Sequence, residues 1–309
     1  CGSAMAGIHI GFMEIAQDFA DIVLVGGMEH MTRVPMGDTL IDRGAIVPNM
    51  ALFTDPKHQH WDMMTAMNMG LTAEKLFART DYTKADMDKW GLRSHQLAAK
   101  AEKAGFFEGE IFPIEAEQAD GSTMLVDKDQ AVRGDSTLEG IAALRPAFKK
   151  DGVITAGISS PLNAGATSMV LMSRETAKKK GIKPLATIRS IGFAGVDPTI
   201  MGHGPVPASQ KALDKAGLKA SDIDYWEINE AFCIVALNCI KELGLDPDRV
   251  NVMGGGTAIG HPLGATGIRL TGTLARIRAE KGGRYGCSNA CVGGGQGVAT
   301  IIERETYGW

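Results

Sequence analysis

Residues 220–244 read ASDIDYWEINEAFCIVALNCIKELG. Their reading decides the fold class: Ile223 to Ile228 is a short apolar run that suits a strand, and a helix follows at once from about Glu230. The same order holds upstream, with a strand over Ala186 to Ile191 and a helix over Ser209 to Ala216. Before those come a strand at Gly152-Val-Ile-Thr-Ala156 and a helix near Ala164 to Leu171. Alternating strands and helices argue an α/β architecture. Near the start, residues 4 to 18 read as a helix of small and apolar residues, leading to a buried strand at Asp21-Ile-Val-Leu-Val25 that stops at Gly26-Gly27. From Glu29 to about Phe148 the pattern is irregular, with a methionine-rich stretch (Met63, Met64, Met67, Met69) and one strong helix. Thr83 caps that helix, Asp86 follows three residues on, and Gly105 lies beyond its end. We read this region as an insertion. At the far end, Arg284 to Ala290 and Val298 to Glu303 form an antiparallel hairpin about the bend Cys291-Val-Gly-Gly-Gly-Gln-Gly297.

Composition bounds the function. The chain has 309 residues, 44% hydrophobic and 22% charged, with a formal net charge of -4. That is the balance of a soluble globular protein, not of a disordered or nucleic-acid-binding one. The apolar runs fall far short of the roughly 18 residues that span a bilayer. The 5 cysteines (Cys1, Cys233, Cys239, Cys287, Cys291) are odd in number and lack CxxC spacing, which points away from a disulfide framework or a zinc site and toward a reducing, cytoplasmic compartment. Because the sequence opens on CGSAMAG without Met, an amino-terminal segment, and any targeting signal in it, is expected to be missing.

Three residues invite a chemical reading. Cys1 precedes Gly2-Ser3-Ala4 and an apolar helix, where first-turn N–H groups stabilise a thiolate. Cys291 precedes three glycines that allow a ligand's carbonyl to approach backbone N–H donors. His261, in Gly260-His-Pro-Leu-Gly264, is a base suited to neutral pH. Singly, each has an ordinary reading as a buried inert thiol, a core imidazole or a turn. Cys1 and His261 each stand six residues before a glycine (Gly7 in AGIHI, Gly267 in TGIRL), an echo that suggests two copies of one α/β unit. Gly254-Gly-Gly256 and Gly293-Gly-Gly295 lack the G-x-G-x-x-G and G-x-x-x-x-G-K spacings of nucleotide loops.

Taken together with Gly26-Gly-Met-Glu-His30, Met69-Gly-Leu-Thr-Ala-Glu74, Thr155-Ala-Gly157, Met201-Gly-His-Gly-Pro-Val-Pro-Ala208 and Asn229-Glu-Ala-Phe232, the Cys1, His261 and Cys291 motifs resemble, in order, those of the thiolases. The segment from Met69 through Phe232 is most similar to the degradative 3-ketoacyl-CoA thiolases of fatty acid β-oxidation. The resemblance implies two duplicated α/β halves layered α-β-α-β-α with an inserted loop domain. Residues 1–30 and 150–183 belong to the first half, 31–149 to the insertion and 184–309 to the second half. It further implies that the first βαβαβ segment, which precedes the nucleophile in the family, is absent. A chain starting at Cys1 is accordingly expected to fold and act poorly alone.

The resemblance assigns Cys1 as nucleophile, His261 as base, Asn229 as holder of an enolate-stabilising water and Cys291 as general acid, with the backbone N–H groups of Cys1 and Gly293 as the oxyanion hole. By the same matching, Arg133 lies beside the CoA nucleotide, Ser160 touches the pantetheine arm, Phe232 lines the acyl pocket, and Asn68 and Met69 bear on chain length. No metal or cofactor is implied, since CoA is a substrate. CoA thioesters are the implied partners, within a homo-oligomer. A subunit of a β-oxidation complex and a separate chain supplying the missing segment are further partners to consider. Two departures bear on acyl preference: Asn68-Met69-Gly70 stands where short-chain members read His-Met-Gly, and Ile158 and Asn163-Ala-Gly-Ala166 replace the usual T-A-G-N and D-G-A. The rivals are a short-chain acetoacetyl-CoA thiolase, a single-cysteine condensing enzyme and a non-catalytic acyl-CoA carrier. Retention of Cys1, Asn229, His261 and Cys291 counts against the last two.

Overall fold

A computed structural model describes residues 1–31, 50–118 and 120–305. The part of the expected insertion at 32–49 lies outside the described residues. The longer helices are α1 (Ser3–Ala16), α2 (Met69–Phe77), α3 (Lys84–Lys103), α4 (Arg174–Lys180), α5 (Pro205–Ala216), α6 (Cys233–Leu243) and α7 (Thr266–Lys281). The strands are β1 (Ile22–His30), β2 (Ile114–Glu117), β3 (Thr123–Val126), β4 (Ala164–Met172), β5 (Thr187–Gly195), β6 (Tyr225–Ile228), β7 (Tyr285–Val292) and β8 (Gln296–Glu303).

Strands β5-β8-β7-β6 form one sheet in that order, with β6 and β7 parallel and the other pairs antiparallel. The residues from Gly286 to Cys291 and from Gly297 to Ile302 are all buried, because α7 covers β6 and β7 while α5 lies against β5 and β8. Strands β1 and β4 form a separate antiparallel pair. Helices α1 and α7 pack against each other and each touches both sheets, which makes them the layer between. They meet closely, since a Cβ on Gly267 would stand 2.2 Å from Met5 N. The two helices that open after Cys1 and His261 are therefore direct neighbours.

Helix α3 carries the expected cap in full. Thr83 Oγ1 accepts from Asp86 N–H at 3.2 Å and Asp86 returns to Thr83 N–H at 2.8 Å. The hairpin at 285–303 forms as read.

Three expectations are corrected. Residues 164–172 are a strand, not a helix, because every position from Ala164 to Met172 pairs with β1, and a partner some 140 residues away in sequence overrides local propensity. Strand β1 runs through Gly26-Gly27 to His30. Gly27 answers a close backbone approach and does not end the strand, as a Cβ there would lie 2.1 Å from Gly264 O. Residues 152–156 form no strand. The N–H groups of Val153 and Ile154 donate to the Glu74 carboxylate, each at 2.8 Å, so a side chain takes the place of a sheet partner.

Candidate active site

Cys1 stands at the head of α1, where Gly2 O accepts from Ala6 N–H at 2.8 Å. Gly2 presses on the β7–β8 turn: a Cβ there would lie 2.7 Å from Val292 Cγ2. The head of α1 is thereby held beside Cys291, the residue before Val292. His261 arrives on the loop that leads into α7. That loop sits on the β1–β4 pair, with Pro262 Cγ 2.7 Å from where a Cβ on Gly165 would be. Asn229 follows β6, and its backbone N–H donates to Asn289 O at 2.9 Å, two residues before Cys291. Four separate segments thus converge at the carboxyl end of β7.

Burial governs the protonation of His261 and Cys291. It pushes His261 down to about 3, helped by the Arg269 guanidinium. Burial pushes the Cys291 thiol up to about 12, opposed by a backbone hydrogen bond. At neutral pH the imidazole is therefore uncharged and Cys291 carries its proton, one group ready to accept and one ready to donate. Following the His261 ring signals by NMR should show no titration between pH 5 and 8. A step near 6.5 would contradict the burial seen here.

The tautomer of His261 follows from one hydroxyl. Thr266 Oγ1 lies 2.9 Å from Pro262 O and 2.7 Å from His261 Nδ1. A carbonyl can only accept, so the hydroxyl proton points to Pro262 and the oxygen accepts from Nδ1–H. His261 Nε2 is left with its lone pair, buried and without a protein partner. Both amide atoms of Asn229 are likewise buried and unpaired. Each such atom costs about 1–3 kcal/mol unless something enters to pair with it, which marks this as a place built for a guest. Thr266→Val should lower kcat about 10- to 100-fold with KM little changed, while Thr266→Ser retains activity. Equal loss in both variants would mean that the hydroxyl is not what orients the ring. Sequence reading passed over Thr266, although a hydroxyl residue at the first position of the helix after His-Pro-Leu-Gly-Ala was its visible signal.

The other expected residues fall around this centre to different degrees. Gly294 and Gly295 have φ of 86° and 82°, a conformation that favours glycine, and they turn the chain sharply after Gly293. Met69 leans on Gly293, its Sδ 3.3 Å from where a Cβ would stand. Asn68 is committed to the start of α2, its Oδ1 accepting from Leu71 N–H at 3.1 Å, so it acts first as a helix cap. Ser160 is half-buried beside the Asn229 loop, donating its N–H to Ala231 O at 3.0 Å. The buried Phe232 ring meets Phe148 edge-on at 5.8 Å. Arg133 is exposed, and its hydrogen bonds run to Gln130, Val132 and His95, away from the Cys1 centre. Cys233, Cys239 and Cys287 are buried, and burial raises all three thiols, Cys287 to about 12.

Comparison with known proteins covers both halves. Residues 1–175 match the family described as "Thiolase, N-terminal domain" and residues 182–304 match "Thiolase, C-terminal domain". The 3-ketoacyl-CoA thiolase of Marinobacter nauticus is 45% identical over 308 residues, which span 98% of this chain and 76% of that one. That of Hahella chejuensis is 44% identical over the same shares. Human mitochondrial 3-ketoacyl-CoA thiolase, a solved structure, superposes with a TM-score of 0.86 at 37% identity, covering 99% of this chain and 77% of the human one. The acetyl-CoA acetyltransferase of Bacillus anthracis gives 0.85 at 40% identity, covering 99% and 77%. The paired sheets about α1 and α7, and the convergence of two cysteines, a histidine and an asparagine on one strand end, are thus found in a chain that both domain families match: it belongs to the thiolase family.

Proposed function

We propose that this protein cleaves 3-ketoacyl-CoA with CoA, yielding acetyl-CoA and an acyl-CoA shortened by two carbons, in fatty acid β-oxidation. The observation that carries the reading is the His261 Nε2 lone pair, buried and unpaired, in one cluster with the thiol of Cys291, the head of α1 and the unpaired amide of Asn229. The names of the relatives support the substrate class, and one matching structure is the human mitochondrial enzyme in complex with CoA.

In the proposed cycle His261 Nε2 takes the Cys1 proton and the sulfur attacks the 3-keto carbon. The bond between C2 and C3 breaks. The acetyl-CoA enolate that leaves is stabilised by His261 and by a water held on Asn229, and C2 takes the proton of Cys291. The acyl group stays on Cys1 as a thioester. The Cys291 thiolate then deprotonates incoming CoA, whose sulfur attacks that thioester. The Cys1 and Gly293 N–H groups hold the oxyanion before collapse expels the Cys1 thiolate, which takes its proton back from His261 Nε2. Mass spectrometric mapping after incubation with acetyl-CoA should find the acetyl group on Cys1. Acetylation of Cys233 or Cys239 with Cys1 bare would overturn the assignment.

A further inference from the structure

We propose that Glu230, which no step of the cycle uses, is the positioning residue that sets the direction of the Asn229 amide, and that it serves carbon–carbon cleavage and not acyl transfer in general. The proposal rests on the thiolytic reading above.

Asn229 has nothing of its own to orient it. Its side chain is fully buried with neither amide atom paired to protein, so its direction comes from its backbone and its walls. The next residue supplies what it lacks. Glu230 is fully buried and its carboxylate is held by four donors from three distant segments. Trp90 Nε1 and Asn251 Nδ2 donate to Oε1 at 2.8 and 2.7 Å, while Ser94 Oγ and Thr257 N–H donate to Oε2 at 2.7 and 3.1 Å. A carboxylate with both oxygens doubly engaged cannot rotate without breaking a buried bond.

Asn251 ties this clamp across Asn229. Besides reaching Glu230, it accepts from Ile228 N–H at 2.8 Å and donates to Ile228 O at 2.9 Å. Both neighbours of Asn229 are therefore fixed by one side chain. The run Gly254-Gly-Gly256 lines the same spot: a Cβ on Gly255 would be 2.2 Å from Glu230 Cδ, and one on Gly256 would be 3.1 Å from Asn229 Oδ1. These glycines cradle a carboxylate and an amide, and Ser94 accepts from Gly255 N–H at 2.9 Å to close the ring. Trp90 and Ser94 lie on α3, so the clamp couples that helix to the Asn229 amide.

The experiment separates two reactions of one enzyme. Thiolysis of acetoacetyl-CoA generates an enolate and needs Asn229 aimed correctly. Exchange of the acetyl group between acetyl-CoA and isotopically labelled CoA passes through the same acyl-Cys1 and generates none. Glu230→Gln keeps the volume but sets an amide NH2 against two donors, so kcat for thiolysis should fall about 10- to 100-fold, with KM and the exchange rate within about twofold. Ser94→Ala, which removes one of the four donors to the carboxylate together with the acceptor of Gly255 N–H, should move thiolysis in the same direction by less and again spare exchange. Equal losses in the two reactions, or unchanged thiolysis in a folded variant, would overturn the proposal. Should Glu230→Gln fail to melt cooperatively, Ser94→Ala decides by the same comparison. Absence of exchange in the unsubstituted enzyme would instead count against the acyl-Cys1 cycle.

Discussion

Cys1→Ser is expected to lower kcat/KM for acetoacetyl-CoA by roughly 10⁴-fold or more. A serine hydroxyl holds its proton far more tightly than a thiol, and the base available to remove it has been weakened, since burial pushes His261 down to about 3. The deprotonation that a thiol permits at modest cost becomes steeply uphill for an alcohol. Substrate binding should survive, because Cys1 stands half-buried at the start of α1 and the change of one atom leaves the helix and its contact with Val292 intact. Calorimetric titration with CoA before and after substitution checks that the loss is chemical. Activity within 100-fold of the unsubstituted enzyme, on the order of what remote positioning effects cost, would move the acyl group to another residue.

His261→Asn should cost kcat about 10²- to 10⁴-fold, the range in which a positioned general base contributes. The asparagine amide can reproduce the Nδ1–H that Thr266 Oγ1 accepts at 2.7 Å, so the buried hydroxyl keeps its partner and the loop keeps its anchor. What disappears is Nε2. The loss should fall on kcat with little change in KM, and exogenous imidazole should restore part of it. Loss of less than tenfold would exclude His261 as the group that takes the Cys1 proton.

Much of the site was legible in one dimension because its parts are short and local. The Gly-rich bend after Cys291, the His-Pro-Leu-Gly loop and the Asn-Glu-Ala-Phe turn each carry their backbone demands in a few adjacent residues. The Thr83 cap and the 285–303 hairpin were readable for the same reason, as donor and acceptor lie within reach along the chain. The strand at 164–172 was not. Its nine pairings are all with residues 22–30, and no local pattern announces a partner that far away. Likewise the Gly26-Gly27 pair looked like an end, when the absent side chain of Gly27 answers the approach of Gly264.

The amino-acid sequence by itself determined the α/β class and offered the candidate groups for the chemistry: two cysteines, a histidine and an asparagine in family order. Only the tertiary structure decided their states. That His261 is neutral with a free Nε2, that Cys291 keeps its proton, and that the Asn229 amide is left unpaired beside a fully engaged Glu230 all depend on burial and on partners from distant segments. Desolvation and hydrogen bonding act through space, and a residue's protonation state and direction are properties of the volume it occupies, not of its position along the chain.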